Sequence, residues 1–384
     1  MKLTADVAAA RGSKHKEELC GDVFQLVRSP GKITAILSDG LGSGVKANIM
    51  ATLTTKIACG LLERDVPIDH VVSTIVDTLP SCSERGLAYA TFSILQIRAD
   101  GNAQLYEYDS PPALFFRDDC LVPIERHTRV ICGKKITEAS LQVEKNDVAL
   151  LVTDGVLHAG VGQSLDLGLG LEGLLGFLPT PCTSWPTPEA LVDFVMHVTN
   201  SCYCSRLGDD STAVGLRVRS PRSVAVFTGP PLERVNDEAM VRALLDERNS
   251  TKIVCGGTSA KIVERVTGGR LETSLEYVDP RIPPIAHLEG LDLVTEGVLT
   301  LNRCYELLRA LQDGEELPRS TDAATLLARH LSSAEEVLFL VGKSFNLAHA
   351  NIEEIMQLAP RQYAVSRLAS LLRRRSIETE VRYF

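Results

Sequence analysis

Residues 36–48, ILSDGLGSGVKAN, narrow the choice of fold more than any other stretch of the chain. A β-branched run breaks at Asp39-Gly40 into a glycine turn, and two helical stripes then follow with no strand between them. Val45, Ile49, Leu53, Ile57 and Leu61 recur every four residues; Ile68, Val71, Val72, Ile75, Val76 and Leu79 form the second stripe, with Pro67 at its first turn. Gly42-Ser43-Gly44-Val45-Lys46-Ala47 fits G-x-G-x-x-A, the turn that cradles a dinucleotide between a strand and a helix. That unit needs a parallel strand after its helix, where this chain has the second stripe instead. Asp39 would also set a carboxylate close to the pyrophosphate.

Three more aspartates stand against apolar strand text: Asp22 in Gly21-Asp22-Val23-Phe24, Asp154 in VALLVTDGVL and Asp209 in Gly208-Asp209-Asp210-Ser211-Thr212. Each Asp-Gly alone is an ordinary turn, since aspartate bonds its own backbone. Four such sites in one half of the chain suggest a shared neutralising partner, because a carboxylate beside an apolar core is costly unless paired. Oxygen donors without clustered His or Cys suit a hard divalent cation, Mg²⁺ or Mn²⁺, rather than zinc.

Around these sites the text alternates short strands with turns. ATFSILQI (90–97), AQLYEYD (103–109), ALFFR (113–117) and CLVPI (120–124) read as one antiparallel meander. A helix at about 188–204 and a last strand, STAVGLRV, close this half. After Arg219-Ser220-Pro221, strands TKIVCGG, GLDLVTEG, EVLFLVGKS and TEVRYF alternate with helices at about 258–267, 300–312, 321–332 and 361–375, which predicts a small parallel α/β domain. The boundary is set near residue 220, giving domains 1–219 and 220–384. Leu151–Leu157 and Leu293–Leu299 differ at one position, yet their surroundings do not match, so the echo is read as coincidence.

With 40 Lys and Arg against 49 Asp and Glu, the net charge of −9 and scattered basic residues argue against nucleic acid and anionic membrane as partners. The N-terminus lacks a signal-peptide core and no run of about 18 apolar residues occurs, so the expected location is the cytoplasm. Ten cysteines include no CxxC pair, and Cys202-x-Cys204 has too few neighbouring ligands for a zinc site.

In order along the chain, GDVF, ILSDGLGSG with its helix pair, the strands ATFSILQI and DSPPALFFR, LLVTDGV and GDDSTAV resemble the metal-dependent serine/threonine protein phosphatase (PPM) family. The SpoIIE-type bacterial branch, related to protein phosphatase 2C, is the nearest likeness, over roughly residues 15–219. The resemblance implies an α+β fold: an αββα sandwich followed here by the smaller α/β domain. It also implies two Mn²⁺ or Mg²⁺ ions at one end of the sheets. Asp39 would bridge both ions, with the Gly40 carbonyl on one; Asp154 and Asp209 would bind the other, and Asp22 the second, directly or through water. Asp210 would lie just outside these ligands or serve a third ion. Gly21 stands where protein phosphatase 2C has Glu, which implies a weakly held second ion. Gly40 would let the backbone turn its carbonyl toward a cation, with Gly42 and Gly44 giving a tight helix entry.

The implied activity is hydrolysis of phosphoserine or phosphothreonine on a protein by metal-activated water, without a covalent intermediate. An anti-sigma factor antagonist or a comparable bacterial signalling phosphoprotein is the expected substrate, and the helices after Asp39 are a candidate homodimer surface. Arg85 or Lys46 could hold the phosphate; His158 is read as a surface residue or one behind the ligands. A catalytically weak, phosphoprotein-binding pseudophosphatase is the alternative, with the dinucleotide-binding reading behind it. The C-terminal domain is expected to sense a ligand or partner and act on the helix pair. Within it, Gly256-Gly257-Thr258-Ser259 opens a helix where an anion could sit, while Gly342-Lys343-Ser344 resembles a phosphate loop whose spacing fails.

Overall fold

The computed structural model describes residues 2–79, 90–118, 120–178, 187–273, 283–343 and 359–384. The chain divides into two compact units, Met1–Ser220 and Pro221–Phe384.

The first unit contains two antiparallel sheets. One holds β2 (Val23–Ser29), β3 (Lys32–Ser38), β4 (Phe92–Arg98), β5 (Asn102–Tyr108), β8 (His127–Ile131) and β9 (Lys134–Gln142), in the order β2-β3-β4-β5-β9-β8. The other holds β1 (Thr4–Gly12), β6 (Leu114–Arg117), β7 (Cys120–Leu121), β10 (Val148–Val152) and β11 (Ser211–Arg219), in the order β1-β11-β10-β6-β7. Ile33, Ala35 and Leu37 face Phe115, Leu151 and Val214 in the core between the sheets. Alternate residues serve the outer layers, as the two-residue strand period requires. Ile36 and Ile94 pack under α1 (Gly44–Leu62) and α2 (Ile68–Thr78), while Leu150 and Val152 pack under α3 (Asp154–Leu157), α4 (Gly170–Phe177) and α5 (Pro188–Cys202). Strands covered on both faces are apolar throughout, which is why VALLV shows no alternation. The layering is αββα.

Three readings change here. The four strands expected as one meander belong to both sheets, because the chain leaves the β4-β5 hairpin and enters β6 in the opposite layer. The apolar stripe on α1 is not its buried face: Val45, Ile49 and Leu53 are 56%, 47% and 40% exposed, whereas Ala47, Ala51, Thr54, Thr55 and Ala58 are buried. Small side chains let the helix lie close to the sheet, and the hydroxyls of Thr54 and Thr55 are satisfied by the carbonyls of Met50 and Thr52. The dinucleotide reading fails on topology, since β3 pairs antiparallel with both neighbours and α1 leads into α2.

The second unit is a sheet in the order β14-β15-β16-β13-β12-β17-β18. Its strands are β12 (Ser223–Thr228), β13 (Ser250–Cys255), β14 (Glu272–Thr273), β15 (Ala286–His287), β16 (Leu293–Thr295), β17 (Glu336–Val341) and β18 (Glu378–Tyr383). β12, β13, β16, β17 and β18 run parallel. One face is covered by α6 (Asp237–Leu245) and α7 (Gly257–Thr267), the other by α8 (Val298–Gln312), α9 (Ala323–Ser333) and α10 (Ala359–Arg374). The two similar heptapeptides thus lie in unrelated settings, one on antiparallel β10 and the other on parallel β16.

Candidate active site

Asp39 leaves the end of β3, and its backbone carbonyl accepts from the Thr91 amide at 2.8 Å. The Ser38 hydroxyl donates to the Thr91 carbonyl at 2.7 Å, so both strands hold the turn in place. Gly40 is buried and bridges to Ala90; a Cβ on it would lie 2.0 Å from the Ala47 carbonyl. Its φ is not among the positive ones. Glycine is therefore required at position 40 by the close approach of α1 rather than by an unusual turn. Gly42 and Gly44 do have positive φ, +100° and +70°, and their turn swings the chain into the helix.

Asp22 stands just before β2 and is fully buried. The Thr153 hydroxyl donates to its Oδ2 at 2.8 Å, and Thr153 in turn accepts from the Thr212 amide at 2.8 Å. Its Oδ1 is buried with no hydrogen-bond partner among the described residues. Asp154 begins α3 at the end of β10. Gly155 beside it approaches β11 so closely that a Cβ would lie 1.9 Å from the Asp210 carbonyl. Asp209 and Asp210 enter β11, preceded by Gly208, which packs on the ring of Tyr203; the Tyr203 hydroxyl donates to the Gly155 carbonyl at 3.1 Å.

These elements bring the four predicted carboxylates together. Asp39 feels the negative charges of Asp22, Asp154 and Asp209. Burial, followed by the negative charges of Asp22 and Asp154, pushes the Asp39 carboxyl up to about 10. Burial pushes Asp22 up to about 6 and, with Asp154 as the next cause, raises Asp209. Mutually raised carboxyls are what a cation-binding cluster shows when only protein atoms are present. Among the described residues no group of three His, Cys, Asp or Glu side chains is spaced to hold an ion by itself. A cation here would also draw on backbone or water oxygens, in keeping with Mg²⁺ or Mn²⁺ chemistry. The orphaned Oδ1 of Asp22 and the all-oxygen donor set fit such an ion.

Asp210 has a distinct setting. Its Oδ1 accepts from the Lys14 amide at 2.9 Å, while its Oδ2 is buried without a partner among the described residues. A Cβ on Gly21 would lie 2.8 Å from that Oδ2 and 2.9 Å from the Ala47 Cβ. The carboxylate of Asp210 thus fills space that a side chain at position 21 would need.

The sequence reading missed Lys14, whose ammonium lies 4.0 Å from Asp209 Oδ1, and Thr153, which anchors Asp22. Lys46 is exposed, and Arg85 lies outside the described residues. His158 Nδ1 is 3.8 Å from Asp154 Oδ2 at an open edge of the cluster. The neighbouring Cys20 thiol is buried and pushed up to about 12, mainly by burial and then by Asp22.

Residues 29–219 match the family described as Stage II sporulation protein E (SpoIIE). Stage II sporulation protein E of Priestia megaterium is 20% identical over 214 residues, covering 54% of this chain and 35% of that protein. The Bacillus subtilis (strain 168) protein is 22% identical over 216 residues, covering 55% of this chain and 25% of that one. The chain therefore matches only about a quarter to a third of the length of these relatives. A structure of the PP2C phosphatase domain and a fragment of the regulatory domain of SpoIIE from Bacillus subtilis is 20% identical, with a TM-score of 0.49, covering 57% of this chain and 64% of that one.

Proposed function

Because residues 29–219 place this chain in the SpoIIE family of PPM phosphatases, we propose that its first unit hydrolyses phosphoserine or phosphothreonine esters on a protein. The observation that carries this reading is the convergence of Asp22, Asp39, Asp154 and Asp209 from four separate strand ends. These carboxylates, with the Gly40 carbonyl, would hold two Mn²⁺ or Mg²⁺ ions. Bound there, the ions would lower the pKa of water and screen phosphoryl charge.

The chain's own residues set the geometry. Thr153 fixes Asp22 in one orientation and leaves Oδ1 available. Asp154 and Asp209 are partly exposed whereas Asp22 is sealed, so the cluster opens on the Asp154 and Asp209 side. Substrate enters there, and the Lys14 ammonium beside Asp209 supplies positive charge to a phosphoryl oxygen. Cys20 is a poor nucleophile, since little thiolate forms near neutral pH in a group pushed up to about 12. Direct attack by water is therefore favoured over a cysteinyl-phosphate.

By its family, the substrate is a bacterial signalling phosphoprotein of the anti-sigma antagonist kind. The exposed stripe of Val45, Ile49 and Leu53 supports a homodimer through α1. A second reading, a weakly catalytic phosphoprotein binder, draws on the lack of a ready three-ligand group among the described residues.

The test is hydrolysis of p-nitrophenyl phosphate and a phosphoserine peptide with Mn²⁺, against EDTA and against Asp39→Ala and Asp154→Ala. Turnover is expected with Mn²⁺ only and is expected to disappear in both variants. Equal rates in EDTA, or in the variants, would remove the enzymatic reading; phosphopeptide binding without turnover would favour the binder.

A further inference from the structure

In the second unit the chain starts at the centre of its sheet. From β12 it moves outward through β13 to β16, then returns to place β17 on the other side of β12. The strand that follows β12 in the chain lies on one side of it and β17 on the other, and open α/β sheets bind ligands in the crevice made at such a switch in order, outside the carboxyl ends of the strands.

This crevice is a cavity of about 420 Å³, built from the loop after β12, the first turns of α7 and the start of α10. Its size falls in the range of small-molecule sites, roughly 300–1,000 Å³. Four cations line it, Arg234, Lys261, Arg265 and Arg361, against one carboxylate, Asp237. In a chain of net charge −9 that concentration is specific to the place. Asp237 is already occupied by its ion pair with Arg265. Arg234 and Lys261 are exposed and have no ion-pair partner among the described residues.

One buried polar atom at the site lacks a partner among the described residues. Arg361 lies against Gly229, where a Cβ would stand 2.5 Å from its Nη1, and its Nε has no hydrogen-bond partner among the described residues. Among the described residues no side chain caps α7, and Gly256 enters it with φ +130°. Four cations gathered at one cavity beside the first turns of α7 are complementary to one kind of ligand, a phosphate group. Leu232 and Ile262 add apolar surface to the wall, where the organic part of such a ligand would lie.

The Gly342-Lys343 pair has another role. A Cβ on Gly342 would lie 2.0 Å from the Pro230 carbonyl, and the Lys343 ammonium sits 5.3 Å from the centre of the Tyr383 ring. The glycine allows β17 to close against the loop after β12.

We propose that this cavity binds a small phosphate-bearing organic molecule of about nucleotide size, with the phosphate at the start of α7 among Arg234, Lys261 and Arg361. The test is calorimetric titration of the full chain in EDTA with pyrophosphate, AMP, ADP and adenosine. It is repeated on Lys261→Glu, on Arg234→Glu and on Asp39→Asn, which disables only the first unit's cluster. AMP or ADP is expected to bind with Kd below about 1 mM, and adenosine to bind at least tenfold more weakly. Each charge reversal is expected to weaken binding at least tenfold, and Asp39→Asn to leave it unchanged. Pyrophosphate binding as tightly as ADP would overturn the organic part of the proposal. The whole proposal falls if no phosphate-bearing probe binds, if adenosine binds equally, or if Asp39→Asn abolishes binding while the reversals do not. Unchanged melting temperatures for the two exposed-residue variants would exclude unfolding as the cause of lost binding.

Discussion

A carboxylate pressed among carboxylates works against its own fold. The Asp39 carboxyl is pushed up to about 10 in the folded chain, from an ordinary value of about 4. Stability from such a raised group is whole below about pH 4 and is lost as pH rises toward 10. At pH 8 in EDTA, Asp39→Asn is thus expected to melt above the parent, while Mn²⁺ raises the parent and leaves the variant largely unmoved. Recovery of even 1 kcal/mol is worth roughly 2–4 °C in a domain of this size, and a variant that melts lower in EDTA would contradict the clustering. Gly21→Ala should cost about 1–3 kcal/mol by overpacking, and Asp210→Ala should recover part of that loss. Urea denaturation of the two single variants and the double variant measures the coupling, and strict additivity would show that Asp210 does not set the space at position 21. The four aspartates stand out in the sequence because each interrupts apolar strand text with turn chemistry. Lys14 was not, because nothing local marks it. It reaches Asp209 only through the register of β1 on β11, which sets Gly12 opposite Ser211.

Helix α1 shows how an apolar period can mislead about which way a helix faces. Its large residues recur at the right spacing, yet its small ones are buried, since Gly40 and Ala47 force a close approach to the sheet. Ile49→Glu is therefore expected to leave the stability of the unit within about 0.5 kcal/mol, the usual range for a surface change. If the stripe joins two copies, the same variant shifts sedimentation from dimer to monomer. A parent chain that is monomeric at all concentrations would remove that interface. Helices α7 to α10 of the second unit were legible within a few residues because turns bound them, but α6 (Asp237–Leu245) was missed. β12 was missed, since SVAVFT directly follows the Arg219-Ser220-Pro221 boundary and was absorbed into it. The meander was misjoined because hairpin turns and the crossing between layers carry similar Pro, Ser and Asp signals.

Two units with cores of their own are expected to melt in separate transitions, as multidomain chains commonly do. Mn²⁺ should move one transition in calorimetry and, on our reading of the cavity, ADP the other; a single transition shifted equally by both would show that the units unfold as one. Comparing the specific activity of residues 1–220 with that of the whole chain tests control by the second unit, and equal activity would count against it. Both layers of the first unit were foreseeable from its family likeness, but the partner of its first strand was not. Among the described residues β1 pairs only with β11, Thr4 opposite Arg219. As the chain leaves the ribosome, β1 must therefore wait for about two hundred further residues before its partner β11 emerges. Until then Thr4–Gly12 is an unpaired edge, open to chaperones and to neighbouring nascent chains.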